Sequence, residues 1–157
     1  MSLLAIDNLT VRYGGLTAVD GLSLTVDANE SVGLVGESGS GKSQTALAVL
    51  GLLPATAEIT GSIRFAGEEL LGASEAALDA MRATKAAMVF QDPMQALNPY
   101  VSIGNQLSRI LVHHNMAAGR EARERVLGML ERVGLPDAER QFNAYPHELS
   151  GGMRQRA

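Results

Sequence analysis

A glycine-rich stretch at 36–43, GESGSGKS, constrains this chain more than any other feature of its sequence. It matches the pattern G-x-x-x-x-G-K-[ST] and lies between a predicted strand, SVGLVG at 31–36, and a predicted buried helix that starts in SQTALAVLGLL. The pattern requires this strand-loop-helix context, because the loop must present its backbone to a ligand in front of a helix N-terminus. The alternative is a surface loop of Gly and Ser that happens to carry a lysine, and the flanking elements disfavour it.

The residue types in this stretch point to phosphate chemistry. Glycines let successive backbone N–H groups converge on an anion, and they occur here as Gly36, Gly39 and Gly41. Lys42 adds a point charge, and the Ser43 hydroxyl is placed to bind a Mg²⁺ ion that bridges phosphates. The sequence therefore predicts a site for a nucleoside triphosphate, without fixing the base or the reaction.

Composition places the chain among globular proteins and excludes several function classes. With 157 residues, 46% hydrophobic and 19% charged, it is long enough for one domain with a real core. The net charge of −4 argues against nucleic acid as a partner, since binding to phosphate backbones needs a clustered basic face. Cysteine is absent, which excludes disulfides and thiolate metal sites. The longest apolar stretch falls short of the roughly 20 residues that span a bilayer, so we expect membrane association only through a partner.

Hydrophobic periodicity divides the chain into two kinds of structure. Apolar residues alternate over 4–13 and 22–26 and again at 63–65, which predicts a small antiparallel sheet. AAMVF at 86–90 is a continuous apolar run, typical of a covered parallel strand. From Ser102 onward the period becomes helical, so we expect a helical subdomain there.

Three further stretches resemble the ATP-binding subunits of ABC transporters. LSGGMRQR at 149–156 is similar to the signature motif of that family, and MVFQDP at 88–93 is similar to its Q-loop. Tyr13, in VRYGG, stands where the family places an aromatic residue that stacks on adenine. Packing of Tyr13 on the small sheet is the alternative. The resemblance covers residues 4–156.

The resemblance implies a fold class and a domain division. The fold is an α/β phosphate-loop NTPase of ABC type, with an N-terminal antiparallel β subdomain, part of the parallel core sheet and a helical subdomain. The C-terminal part of the core would be missing. We therefore expect a partial ABC ATP-binding domain over 1–157, divided into 1–100 and 101–157.

The resemblance also implies the ligands, ATP and Mg²⁺, and the residues that bind them. Gln91 would be the catalytic residue, reaching Mg²⁺ and the attacking water, and Ser43 would share the metal. The signature residues would face ATP held by an opposite subunit, through the N-terminus of their helix. The nucleotide-binding residues would be Tyr13, Gly36, Ser38, Gly39, Ser40, Gly41, Lys42, Ser43, Thr45, Ser150, Gly151 and Gly152.

Partners follow from the same resemblance. They are a second ATP-binding subunit and transmembrane permease subunits, which would hold the chain at the cytoplasmic face of the membrane. FQDPMQALNP at 90–99 and YPHELSGGMRQR at 145–156 look most like the branch that imports dipeptides, oligopeptides, nickel and related solutes. A soluble, non-transport ABC-type ATPase and an inert nucleotide-binding fragment are the alternatives.

Hydrolysis in this family needs groups that would follow the signature motif: a strand-end carboxylate for Mg²⁺, a neighbouring Glu and a switch His. Asp92 is the only acid close behind an apolar run, and the resemblance assigns it to the Q-loop. We therefore expect the chain to be the N-terminal portion of a longer ATPase, with no turnover of its own.

Overall fold

The computed structural model describes residues 2–82, 84–90 and 96–157, which form two compact units, Met1–Ala87 and Met88–Ala157. The first unit contains a four-stranded sheet in the order β2-β1-β3-β4 with antiparallel pairing throughout. Its elements are β1 (Ser2–Tyr13), β2 (Leu16–Asp27), α1 (Lys42–Val49), β3 (Glu58–Phe65), β4 (Glu68–Glu69) and α2 (Glu75–Met81).

The sheet forms because its strands carry a buried apolar face and pair within the unit, β2 directly after β1 in the sequence and β3 after helix α1. β1 and β2 are joined by a tight turn in which Gly14 and Gly15 both have positive φ. The central strand β1 places Ile6, Leu9 and Val11 in the core, as the alternation predicts. The antiparallel subdomain is confirmed.

Two strands predicted for a parallel core sheet are not formed, and those predictions are wrong for the described residues. The segment 31–36 has no regular structure, and Val35 is 94% exposed. Within 86–90 only Ala86 makes a bridge, to Arg82, and Val89 is 93% exposed. An apolar run becomes a strand when neighbours take up its N–H and C=O groups, and no described strand pairs with either run.

The second unit is helical, as the change of period predicts. Its elements are α3 (Ile103–His113), α4 (Gly119–Arg132), α5 (Ala138–Asn143), a 3-10 turn (Pro146–Glu148) and α6 (Gly151–Arg156). The helices pack around a core that includes Ile103, Val126 and Leu130. Helix α4 ends shortly before Gly134, which adopts a φ of 72° that a side chain would disfavour.

One close approach fixes the packing of α3 on α5. The ring of Phe142 lies so near Gly104 that a Cβ there would sit 2.2 Å from it. Arg123 covers the Phe142 ring at 4.7 Å and forms an ion pair with Glu139. The hydrogen bonds of this pair raise the pKa of Arg123 and lower the pKa of Glu139. The contact between α4 and α5 thus combines the apolar Phe142 ring with an exposed ion pair above it.

No helix among the described residues is long and apolar enough to cross a membrane.

Candidate functional site

The glycine-rich loop curls around the side chain of its own lysine. The Nζ atom of Lys42 donates hydrogen bonds to the carbonyl oxygens of Gly36, at 2.7 Å, and Glu37, at 2.6 Å. It also lies 3.2 Å from the Oγ atom of Ser40. The ammonium group therefore lies at the centre of the loop, where the loop backbone would converge on a phosphate.

Glycine is required by geometry at specific points of the loop. Gly39 and Gly41 have φ values of 84° and 88°, in the region that side chains disfavour. A Cβ on Gly41 would lie 2.3 Å from the backbone carbonyl oxygen of Ala18, whereas a Cβ on Gly36 would meet the Ser40 Oγ atom at 2.6 Å, which can rotate away. The loop can neither curl this tightly nor approach β2 this closely with larger residues.

Helix α1 begins at Lys42, directly behind the loop. Its N-cap is Gly41, which offers no side-chain acceptor, and the first turn contains no acidic residue. The first N–H groups of a helix have no partner within the helix, and they carry the positive end of its dipole. Together with Lys42 they make the start of α1 a place where an anion is stabilised.

A cavity of about 460 Å³ lies between β2 and the loop. Its lining residues include Thr17, Asp20, Gly39, Lys42 and Thr45. Thr45 is only 5% exposed, and its hydroxyl donates to the carbonyl oxygen of Gly41 at 3.1 Å. Its hydroxyl thus supports the first turn of α1, and its predicted contact with nucleotide stays a prediction.

The loop serines are more accessible. Ser38, Ser40 and Ser43 are all exposed, and Ser43 lies in the first turn of α1 beside Lys42. Hydroxyl and phosphate oxygens are the hard ligands that Mg²⁺ prefers. An exposed hydroxyl next to Lys42 fits that ion, and the described residues contain no cluster of three or more His, Cys, Asp or Glu that could hold a metal instead.

Tyr13 lies at the end of β1 and is half-buried against the sheet core. Its hydroxyl donates a hydrogen bond of 2.7 Å to the Oε1 atom of Gln44 in α1. The packing anticipated as the alternative for Tyr13 is therefore present, and it leaves adenine stacking as a prediction. Sequence reasoning missed Gln44, although its place directly after the lysine and serine of the loop could have drawn attention to it.

Gln91, the predicted catalytic residue, and the neighbouring Asp92 lie outside the described residues. The signature residues belong to the second unit. Ser150 caps α6, and its Oγ atom accepts a hydrogen bond of 3.3 Å from the N–H of Met153. Gly151 and Gly152 are exposed and have open space where a Cβ would lie. The predicted helix start is confirmed, and its glycines leave the helix N-terminus accessible.

Comparisons with known proteins agree with this geometry. Residues 19–157 match the family described as ABC transporter. The oligopeptide transport ATP-binding protein OppD of Salmonella typhimurium is 47% identical over 98% of this chain, and OppD of Haemophilus influenzae is 48% identical over the same share. The chain covers 47% and 49% of these two proteins, so it spans about half the length of the curated relatives it matches.

Solved structures give the same class of fold. The dimeric structure of MJ0796, a bacterial ABC transporter cassette, superimposes with a TM-score of 0.79 and 26% identity, covering 98% of this chain and 66% of that one. CbiO1 of Clostridium perfringens, part of an ABC transporter complex, gives a TM-score of 0.73 at 26% identity, covering 99% of this chain and 58% of that one. The chain belongs to the ABC transporter family.

Proposed function

We propose that this chain is the N-terminal, nucleotide-binding portion of the ATP-binding subunit of an ABC importer. The observation that carries the proposal is the glycine loop centred on Lys42 at the start of α1. In this proposal residues 1–157 form a partial ABC ATP-binding domain. The relatives named for oligopeptide transport support a peptide as the imported solute.

The residues of the loop bind the triphosphate through charge and backbone N–H groups. Phosphate oxygens are stronger acceptors for an ammonium than the loop carbonyls, because the hydrogen bond then joins two ions. Lys42 therefore exchanges Gly36 and Glu37 for phosphate when nucleotide binds. Gly39, Ser40 and Gly41 contribute N–H groups, and Ser43 holds Mg²⁺, which neutralises phosphate charge.

Partners complete the proposal. The subunit pairs with a second ATP-binding subunit, and the dimeric structure of the MJ0796 cassette supports such pairing. Ser150, Gly151 and Gly152 face the nucleotide of that second subunit, which their exposure allows. Permease subunits hold the pair at the cytoplasmic side of the membrane, and Gln91 completes the site around Mg²⁺ and water.

The nucleotide site is tested by substituting the two lysines of the chain in turn, Lys42 and Lys85. Lys85 is exposed and lies outside the loop, so Lys85→Ala is a matched control. We expect Lys42→Ala to weaken binding of Mg·ATP by about 10- to 100-fold, the range of a charge-assisted hydrogen bond. We expect the control to bind within about twofold of the unsubstituted chain. Isothermal titration calorimetry measures both, and equal affinities of the two variants would contradict the loop assignment.

The solute class needs a separate measurement in cells. Uptake of a labelled oligopeptide and of nickel ions is compared in cells that carry either the unsubstituted protein or its Lys42→Ala variant. We expect the variant to abolish peptide uptake and to leave nickel uptake unchanged. Loss of nickel uptake alone would indicate nickel as the imported solute. If the variant lost neither peptide uptake nor nickel uptake, the importer assignment would be contradicted.

A further inference from the structure

A hydrogen bond links the end of the sheet to the first turn of the phosphate-loop helix. The Tyr13 hydroxyl donates to the Oε1 atom of Gln44 at 2.7 Å, across 31 positions of the sequence. Tyr13 is the last residue of β1, and Gln44 follows Lys42 by two positions in α1. The bond therefore joins the aromatic residue predicted to receive a base to the turn that carries the phosphate-binding lysine.

The Tyr13 side chain is held at two places, its ring and its hydroxyl group. Its body packs against the sheet core, while the neighbouring Gly14 and Gly15 are exposed and have open space around them. A tyrosine held only at its base would sample several side-chain rotamers. The bond to Gln44 selects the rotamer that leans toward α1.

A second contact fixes the start of α1 against strand β2. Gly41 approaches β2 so closely that a Cβ would lie 2.3 Å from the carbonyl oxygen of Ala18. Both strands of the β1–β2 hairpin thus contact the start of α1, one through backbone and one through the Tyr13 side chain. The Tyr13 ring is consequently held beside the turn of α1 that carries Lys42.

We propose that the Gln44 side chain is a positioning residue for base recognition. By holding Tyr13 against the first turn of α1, it keeps the ring beside the phosphate loop, where the base of a bound adenine nucleotide would lie. The inference rests on the proposed function, since it assumes that the loop binds ATP and that Tyr13 receives the base. It differs from that function because the Gln44 side chain acts through Tyr13 and not on the nucleotide.

The test removes the bond from each side with substitutions of nearly equal shape. Gln44→Met keeps length and helix propensity but lacks the acceptor, and Tyr13→Phe keeps the ring but lacks the donor. Tyr100→Phe is the matched control, because Tyr100 is 88% exposed and lies in the other unit. Each variant of the full chain is titrated with Mg·ATP and with Mg·tripolyphosphate, which lacks the base.

We expect Gln44→Met and Tyr13→Phe each to weaken ATP binding by about 3- to 10-fold, the range for one hydrogen bond. The double variant is expected to bind ATP no more weakly than the single variants, because both lose the same bond. Tripolyphosphate affinity stays within about twofold in all of them, and the control changes neither ligand's affinity. A merely structural role for Gln44 would weaken both ligands together.

Other outcomes separate this inference from the function on which it rests. Unchanged ATP affinity in Gln44→Met, or equal losses for ATP and tripolyphosphate, overturns the positioning role while Lys42→Ala still reports the nucleotide site. If Gln44→Met does not fold, as judged by circular dichroism, Tyr13→Phe removes the same bond and decides alone. Unchanged ATP affinity in Tyr13→Ala shows that Tyr13 does not receive the base, and the inference falls. Absence of ATP binding by the unsubstituted chain overturns both proposals.

Discussion

Two apolar segments of the first unit have similar sequence patterns and opposite structures. β1 and the segment 31–36 both read as strands, with β-branched residues and apolar spacing. β1 lies between β2 and β3 and buries Val11 completely. The segment 31–36 pairs with no described strand, and its Val35 is 94% exposed.

The difference shows what a strand needs beyond its pattern. β1 has two pairing partners: β2 follows it directly in the sequence, and β3 follows after helix α1. The N–H and C=O groups of β1 are therefore satisfied within the unit. Residues 31–36 carry the apolar side chains of a strand without such a neighbour. Pattern predicts which face would be buried, and pairing decides whether the strand forms.

The largest difference in stability between the two regions is expected when one methyl group is added to each of them. Gly61 lies in β3 opposite a bulge in β1, has a φ of 107°, and would place a Cβ 2.5 Å from the carbonyl oxygen of Asn8. We expect Gly61→Ala to destabilise the unit by about 3 kcal/mol, from overpacking and a strained backbone together. Urea unfolding followed by far-UV circular dichroism measures the change.

Gly33→Ala is the control for the segment 31–36, since nothing lies within 4 Å of its Cβ position. We expect a change of less than about 0.5 kcal/mol, because the site is unpacked and the backbone imposes no strain. A large loss at Gly33 would mean that 31–36 is packed in solution, and the contrast with β1 would disappear.

A matched pair of valines sharpens the same contrast by removing side-chain volume. Val11 is fully buried, whereas Val35 is almost fully exposed. We expect Val11→Ala to cost about 2 kcal/mol, from two lost methyl groups and the cavity that they leave, and Val35→Ala to cost close to nothing. The midpoints of urea unfolding compare them, and similar shifts for both valines would show that 31–36 has a core of its own.

Helix α1 follows the unpaired segment, and carbonyl groups at its far end are bonded to the Arg82 side chain. Arg82 donates to the carbonyl oxygens of Leu50 and Gly51, at 2.9 and 3.0 Å, and its side chain is 19% exposed. We expect Arg82→Ala to cost about 1.5 kcal/mol, because two carbonyl groups lose a charged donor. Arg64→Ala, at a more exposed arginine, is the control for urea unfolding. Equal and small losses would show that α1 needs no such anchor.

The sequence was sufficient where the cause of structure is local. At the helix starts Ser74 and Ser150, the serine side chain accepts a hydrogen bond from an N–H three residues on. Along α4, ion pairs with i,i+4 spacing join Arg120 to Glu124 and Glu121 to Arg125. Each of these rests on spacing within one turn of helix.

Long-range contacts could not be predicted in the same way. The bond between Tyr13 and Gln44 and the packing of Phe142 on Gly104 join elements whose approach is set by the fold. Nothing in the spacing of these residues reveals it. The strands expected at 31–36 and 86–90 failed for the related reason that pairing partners are non-local. In the site, the loop was predictable as a motif, while the residue that holds Tyr13 was not.

The smallest effect that we expect on stability concerns Glu69 in β4, at the edge of the sheet, and depends on pH. Burial opposes ionisation of Glu69, but hydrogen bonds from the Ser62 hydroxyl and the N–H groups of Ile63 and Leu71 outweigh it, so its pKa lies below the ordinary 4.5. A lowered folded-state pKa gives stability that is present above the unfolded value and is lost as pH falls through the folded value. Glu69→Gln should therefore weaken the acid dependence of urea unfolding between about pH 6 and about pH 3. Glu68→Gln, at the neighbouring carboxylate, is the control, and an unchanged acid dependence in Glu69→Gln would show that these bonds do not anchor the edge of the sheet.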